Sequence, residues 1–72
     1  MNNIYTVRYS TISEDEYLYP SATIMSIDFD NKKNAMNFYN TIKNGNDFGT
    51  GYKLQIMKHK KSETELLQEF EF

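Results

Sequence analysis

Apolar positions along this chain change their spacing twice. Thr23, Met25, Ile27 and Phe29 alternate, Ala35, Phe38, Tyr39 and Ile42 recur at helical spacing, and Tyr52, Leu54 and Ile56 alternate again. Side chains two apart share a strand face and those three or four apart share a helix face, so this stretch reads as strand, helix, strand. Upstream, Tyr5, Val7 and Tyr9 fall on one side of an extended segment from Ile4 to Thr11, with Thr6 and Arg8 opposite, which predicts a first strand. The second strand is expected over Ala22 to Phe29, with Thr23, Met25, Ile27 and Phe29 inward and Ile24, Ser26 and Asp28 outward.

Polar and special residues set the boundaries. Asp30 or Asn31 supplies a short side-chain oxygen to cap the first-turn amides of a helix running to about Lys43, and Asn44-Gly45 supplies its stop. Ser13 to Pro20 reads as a long hairpin connection, because Pro20 cannot donate a ladder hydrogen bond and restrains Tyr19 towards extended geometry. Asn44 to Gly51, with three glycines, two asparagines and an aspartate around Phe48, reads as a mobile loop. Tyr52 to His59 is the third strand. The last segment has two readings. Ser62-Glu63-Thr64-Glu65 fits a capping box before a short helix with Leu66, Leu67 and Phe70 as its stripe. In the other, Leu66, Phe70 and Phe72 lie on one face of a fourth strand, and Lys58 and Lys60 face the acidic C-terminal segment across a hairpin. The favoured fold for residues 1–72 is one α+β domain of β-β-α-β-β order. Its single helix packs through Ala35, Phe38, Tyr39 and Ile42 on one face of an antiparallel sheet.

At 72 residues the chain is near the lower size limit for an apolar core, and a large active-site cleft is not expected. Five Phe and six Tyr give that core large burial areas, but the absence of cysteine removes disulfides and thiolate metal sites as supplements. Association with a second copy, as a homodimer, is one expected supplement. Met1 to Arg8 is polar and interrupted, which predicts a cytoplasmic protein with no membrane contact.

A net charge of −2 argues against general nucleic-acid binding. The charges are nevertheless segregated. Glu14, Asp15 and Glu16 form an acidic run, and Lys53, Lys58, Lys60 and Lys61 surround His59 ahead of Glu63, Glu65, Glu69 and Glu71. Arg8, Tyr9, Lys53 and Lys58 form a basic-aromatic set of the kind that stacks single-stranded nucleic acid, without the tandem aromatic motif such modules carry.

Three further motifs depart from the known chemistry they suggest. With Asp28 as the first position of a calcium loop, the sixth is Lys33 instead of glycine and the twelfth is Tyr39 instead of glutamate, so the set fails and Asp30 reads as a cap. Gly45, Gly49 and Gly51 follow a helix instead of opening one and lack the lysine and hydroxyl of a phosphate loop. His59 has no nucleophile, acid or fellow ligand near it in sequence and reads as a solvated strand residue. No metal, cofactor or catalytic group is expected. The acids Glu14, Asp15 and Glu16 with Tyr17 and Tyr19, and separately Phe48, are the candidate partner-binding residues, since tyrosines on a loop offer stiff contact area at low entropy cost.

Ile27-Asp28-Phe29-Asp30, the helical Asn34-Ala35-Met36-Asn37-Phe38-Tyr39, then Tyr52-Lys53-Leu54-Gln55-Ile56 and Leu67-Gln68-Glu69-Phe70-Glu71-Phe72 resemble, in pattern, small uncharacterised phage and mobile-element proteins of AT-rich bacteria. That group includes anti-CRISPR proteins and other inhibitors of host defence. The resemblance implies a protein working in the host cytoplasm by occluding a surface of a larger host protein, such as a nucleic-acid-processing complex. It assigns no functional residue. The alternative is a small nucleic-acid-binding or regulatory protein using Arg8, Lys53, Lys58, Lys60 and Lys61.

Overall fold

A computed structural model describes residues 3–12, 21–45 and 51–72. Strand β1 spans Ile4–Thr11, β2 Thr23–Phe29, β3 Tyr52–Lys60 and β4 Glu63–Glu71, with helix α1 over Lys32–Asn44 between β2 and β3. The β-β-α-β-β order is the one the period changes predict, and the C-terminal segment is a strand. All neighbouring strands are antiparallel, in the spatial order β2-β1-β3-β4. Both sequence-adjacent pairs are therefore hairpins, and the join between them is β1 against β3. Along that join Val7 faces Ile56 and Tyr9 faces Leu54.

The helix lies on one face of the sheet. Ala35 and Tyr39 are its buried residues, set against Val7, Tyr9, Leu54 and Ile56, and Phe38, Ile42 and Met36 pack around them. The spacing of Ala35, Phe38, Tyr39 and Ile42 thus produces the apolar stripe expected of it. Asn31, not Asp30, is the cap: its side-chain oxygen accepts from the Asn34 amide at 3.2 Å, from an extended backbone with φ −134° and ψ 124°. At the other end Gly45 returns its amide to the Thr41 carbonyl at 3.0 Å with φ −103°, so the helix stops without a left-handed residue. The left-handed glycine is Gly51, φ 90°, where the chain enters β3.

Two bulges alter which side chains face the core. Tyr9 pairs with Met25 but Ser10 with Thr23, so Ile24 is an extra residue in β2. Thr23 consequently joins the open face instead of the core, and Ile24, expected to point outward, lines an apolar recess with Met25 on the helix side. In the same way Ile56 pairs with Gln68 but Met57 with Leu66, which makes Leu67 the extra residue of β4. Leu67 packs against the core, and Leu66 moves to the open face, where it is 49% exposed. The expected row of Leu66, Phe70 and Phe72 is thereby replaced by Leu67, Phe70 and Phe72.

Candidate functional site

The helix-bearing face is aromatic. Tyr9 stacks on Tyr52 with ring centroids 5.5 Å apart and 12° between planes, Phe72 closes on Tyr9 at 6.0 Å, and Phe29 meets Phe38 at 5.5 Å. Lys43, in the last turn of α1, sits with Nζ 5.0 Å from the centre of the Phe70 ring. Between α1 and β2 this packing leaves a recess of about 340 Å³ lined by Tyr9, Ile24, Met25, Phe38 and Ile42. The connection after β1 leaves, and the one before β2 returns, at the recess end of the sheet, because Tyr9 is near the end of β1 and Ile24 near the start of β2. Ile42 places the C-terminus of α1 at that end too.

Burial pushes the hydroxyls of Tyr9 and Tyr39 above the ordinary tyrosine value, with Tyr52 adding to the effect at Tyr9 and Glu69 at Tyr39. Both stay protonated in the fold at pH values where the unfolded chain ionises, near 10.0. Their contribution to stability is complete below about pH 10 and is lost as pH rises through the folded-state values. The urea midpoint is therefore expected to fall between pH 9 and 11, and Tyr39→Phe to make that fall shallower. An unchanged slope in the variant would show that Tyr39 burial has no part in it.

The opposite face carries a connected set of polar groups beside the apolar Ile4, Met57 and Leu66. The Thr6 hydroxyl donates to Asp28 Oδ1 at 2.7 Å; His59 Nε2 lies 2.9 Å from the same Thr6 oxygen, and His59 Nδ1 lies 3.0 Å from Thr64 Oγ1. Since the Thr6 hydrogen is directed at Asp28, Nε2 carries a hydrogen and donates it to Thr6; in the neutral ring Nδ1 then accepts from Thr64. Asp28, Thr6, His59 and Thr64 stand on β2, β1, β3 and β4, so one hydrogen-bond chain crosses every strand in spatial order. Beside it Arg8 Nε donates to Thr23 Oγ1 at 2.8 Å and Gln55 Nε2 to Glu69 Oε1 at 3.1 Å.

This chain is not a nucleophile with its base. An activated hydroxyl gives its proton to the imidazole, whereas here the imidazole donates to the hydroxyl, and Thr6 is only 6% exposed. His59 lies outward in part, as its sequence context indicates, but it has partners: Thr64 is five positions away across the hairpin and Thr6 is 53 positions away. The missed signal is the outward set Thr6, Arg8, Ser26 and Asp28, which the two-residue period marks. Its pairing with His59 depends on the β1–β3 register.

The basic set does not form one surface. Arg8 and Lys53 belong to the open face, while Lys58 faces Tyr5 on the helix side and Tyr9 is buried at 3% exposure, so no nucleotide base can stack on it. Lys53 faces Glu71, Lys58 faces Glu65 and Lys60 faces Glu63 across the β3–β4 hairpin, so each of these cations is offset by a carboxylate on the neighbouring strand. Lys61 is in the turn. Glu14, Asp15, Glu16, Tyr17, Tyr19 and Phe48 lie outside the described residues.

Among the described residues, no three His, Asp or Glu side chains gather as a metal site, and no helix is long and apolar enough to cross a membrane. Comparison of the chain with protein families, curated proteins and solved structures finds no match to any of them.

Proposed function

We propose that this chain is a binding module without catalysis of its own, a phage or mobile-element inhibitor that occupies a surface of a larger host protein in the cytoplasm. The observation that carries the reading is the division of chemistry in the fold. On the open face Asp28, Thr6, His59 and Thr64 are committed to one another, while the recess beside α1 offers Ile24 and Met25 as apolar contact surface. Concave apolar surfaces with few polar groups are where partners gain binding energy. The segment holding Glu14, Asp15, Glu16, Tyr17 and Tyr19 joins β1 to β2, and the one holding Phe48 joins α1 to β3; the end of β1, the start of β2 and the end of α1 from which they depart are at the recess end of the sheet. The inhibitor role itself rests on the resemblance in sequence pattern.

The test is capture of a host protein by the tagged chain, followed by titration of the purified pair. Ile24→Lys, Tyr17→Ala with Tyr19→Ala, and charge reversal of Glu14 to Glu16 are each expected to weaken binding, and the captured protein's activity is expected to fall on addition of the chain. Unchanged affinity in all three variants would remove this surface assignment. No binding to single- or double-stranded DNA or RNA is expected at low salt. Tight binding there, abolished by neutralising Lys53 and Lys58, would favour the nucleic-acid reading.

A further inference from the structure

We propose that the outer edge of β2 pairs with the β2 edge of a second copy, antiparallel about a two-fold axis, to give one continuous eight-stranded sheet. An edge strand presents a row of backbone amides and carbonyls with no strand beside it, and proteins usually blunt such rows with charge, proline or bulges. Among the described residues, β2 and β4 are the two edges. Each carries one bulge, at Ile24 ahead of residues 25–29 in β2 and at Leu67 in the middle of β4, and they differ further in charge. β4 carries Glu63, Glu65, Glu69 and Glu71 within nine residues, so pairing it with its own copy sets carboxylates against carboxylates. β2, in seven residues, carries only Asp28, whose Oδ1 is already held by Thr6. Pairing β2 with β4 of another copy matches no cation to those glutamates, since β2 contains no lysine or arginine, and is a head-to-tail contact that gives rings or filaments and no two-fold pair. Self-pairing of β2 is the arrangement that remains.

Register follows from the apolar face. Directly opposed residues of an antiparallel pair share a face, so the two-fold must relate Met25, Ile27 and Phe29 to one another. Centring it on Ile27 sets Ile27 against Ile27 and Met25 against Phe29. It also sets Ser26 against Asp28, where the serine hydroxyl donates to the carboxylate oxygen that Thr6 leaves open. Each of these polar contacts occurs twice. Ile27, 38% exposed in the isolated chain, is covered by its own copy, and both helices lie on the same side of the joined sheet. The inference stands apart from the inhibitor reading: either can fail while the other holds, because self-pairing uses the strand edge and needs no host protein.

Sedimentation velocity of the full chain from low micromolar to near-millimolar concentration tests it. A concentration-dependent dimer is expected. Ile27→Lys is expected to raise the dimer dissociation constant about tenfold or more, through like charges brought face to face, and an equimolar mixture of Ile27→Lys and Ile27→Glu to restore association. Circular dichroism establishes that both variants fold. Should either fail to fold, hydrogen exchange on the unmodified chain decides instead: protection of β2 amides is expected to rise with protein concentration. A chain monomeric throughout the range, a dimer indifferent to Ile27→Lys, or β2 protection independent of concentration would each overturn the proposal.

Discussion

Leu54→Ala is expected to lower the unfolding free energy by about 2–5 kcal/mol and to move the urea midpoint down accordingly. Leu54 is fully buried on β3, facing Tyr9 of β1 on one side and Phe70 of β4 on the other. Truncating such a side chain loses its transfer free energy and leaves a cavity, together about 2–5 kcal/mol. The whole stability of a chain this size is about 4–11 kcal/mol at the usual contribution per residue, so one substitution removes a large part of it. Leu66→Ala supplies the contrast. On the open face and half-exposed, it is expected to change stability by no more than about 0.5 kcal/mol. Urea denaturation of the two variants reads the difference directly. Equal losses would mean that the β4 bulge at Leu67 is wrong and that Leu66 sits in the core, as an uninterrupted alternation through β4 would have it.

That contrast also marks where the pattern of the sequence stops being sufficient. Element order was legible because the apolar period changes sharply at Phe29 and again at Tyr52, and the charges of the last hairpin were legible because Lys58 and Lys60 are matched by Glu65 and Glu63. The bulges were not. An extra residue at Ile24 or Leu67 has no compositional mark, since both are ordinary strand residues, yet each reverses the facing of what lies beyond it. Uninterrupted alternation puts Thr23 inward for that reason, and Leu66 likewise. The cap was undecided between Asp30 and Asn31 because both carry a suitable oxygen, and only backbone geometry selects Asn31. For the candidate site the shortfall was larger. Pairing of β1 with β3 joins segments more than forty residues apart, and no local signal encodes a register across that distance. His59 therefore looked solitary, and the basic residues looked like one patch, although β3 divides them between two faces.

The hydrogen-bond chain across the open face can be probed at its centre. Thr6→Val keeps the shape of the side chain, and valine suits a strand at least as well as threonine, so propensity alone predicts a small gain out of a scale spanning about 1 kcal/mol. Against this, the substitution deletes the hydroxyl that donates to Asp28 and accepts from His59 at a site only 6% exposed. Asp28 is exposed and His59 half-buried, so both can turn to water, and the two lost hydrogen bonds cost about 0.5–1.5 kcal/mol each; the loss outweighs the gain, and the variant is expected to be less stable by about 1–2 kcal/mol. Thr6→Ser, which restores the oxygen, is expected to recover most of it. The imidazole nitrogens of His59 give a second readout, because the hydrogen is fixed on Nε2 only while Thr6 accepts it: their NMR shifts should move towards a mixture of tautomers in Thr6→Val and stay in place in Thr6→Ser. Full stability together with an unchanged tautomer in Thr6→Val would show that the chain is incidental. The expected outcome bears on β2 as well. Asp28 is the end of β2 that this chain ties to β1, and its release is expected to speed hydrogen exchange along the strand edge proposed to meet a second copy, ahead of any change in the Val7–Ile56 core.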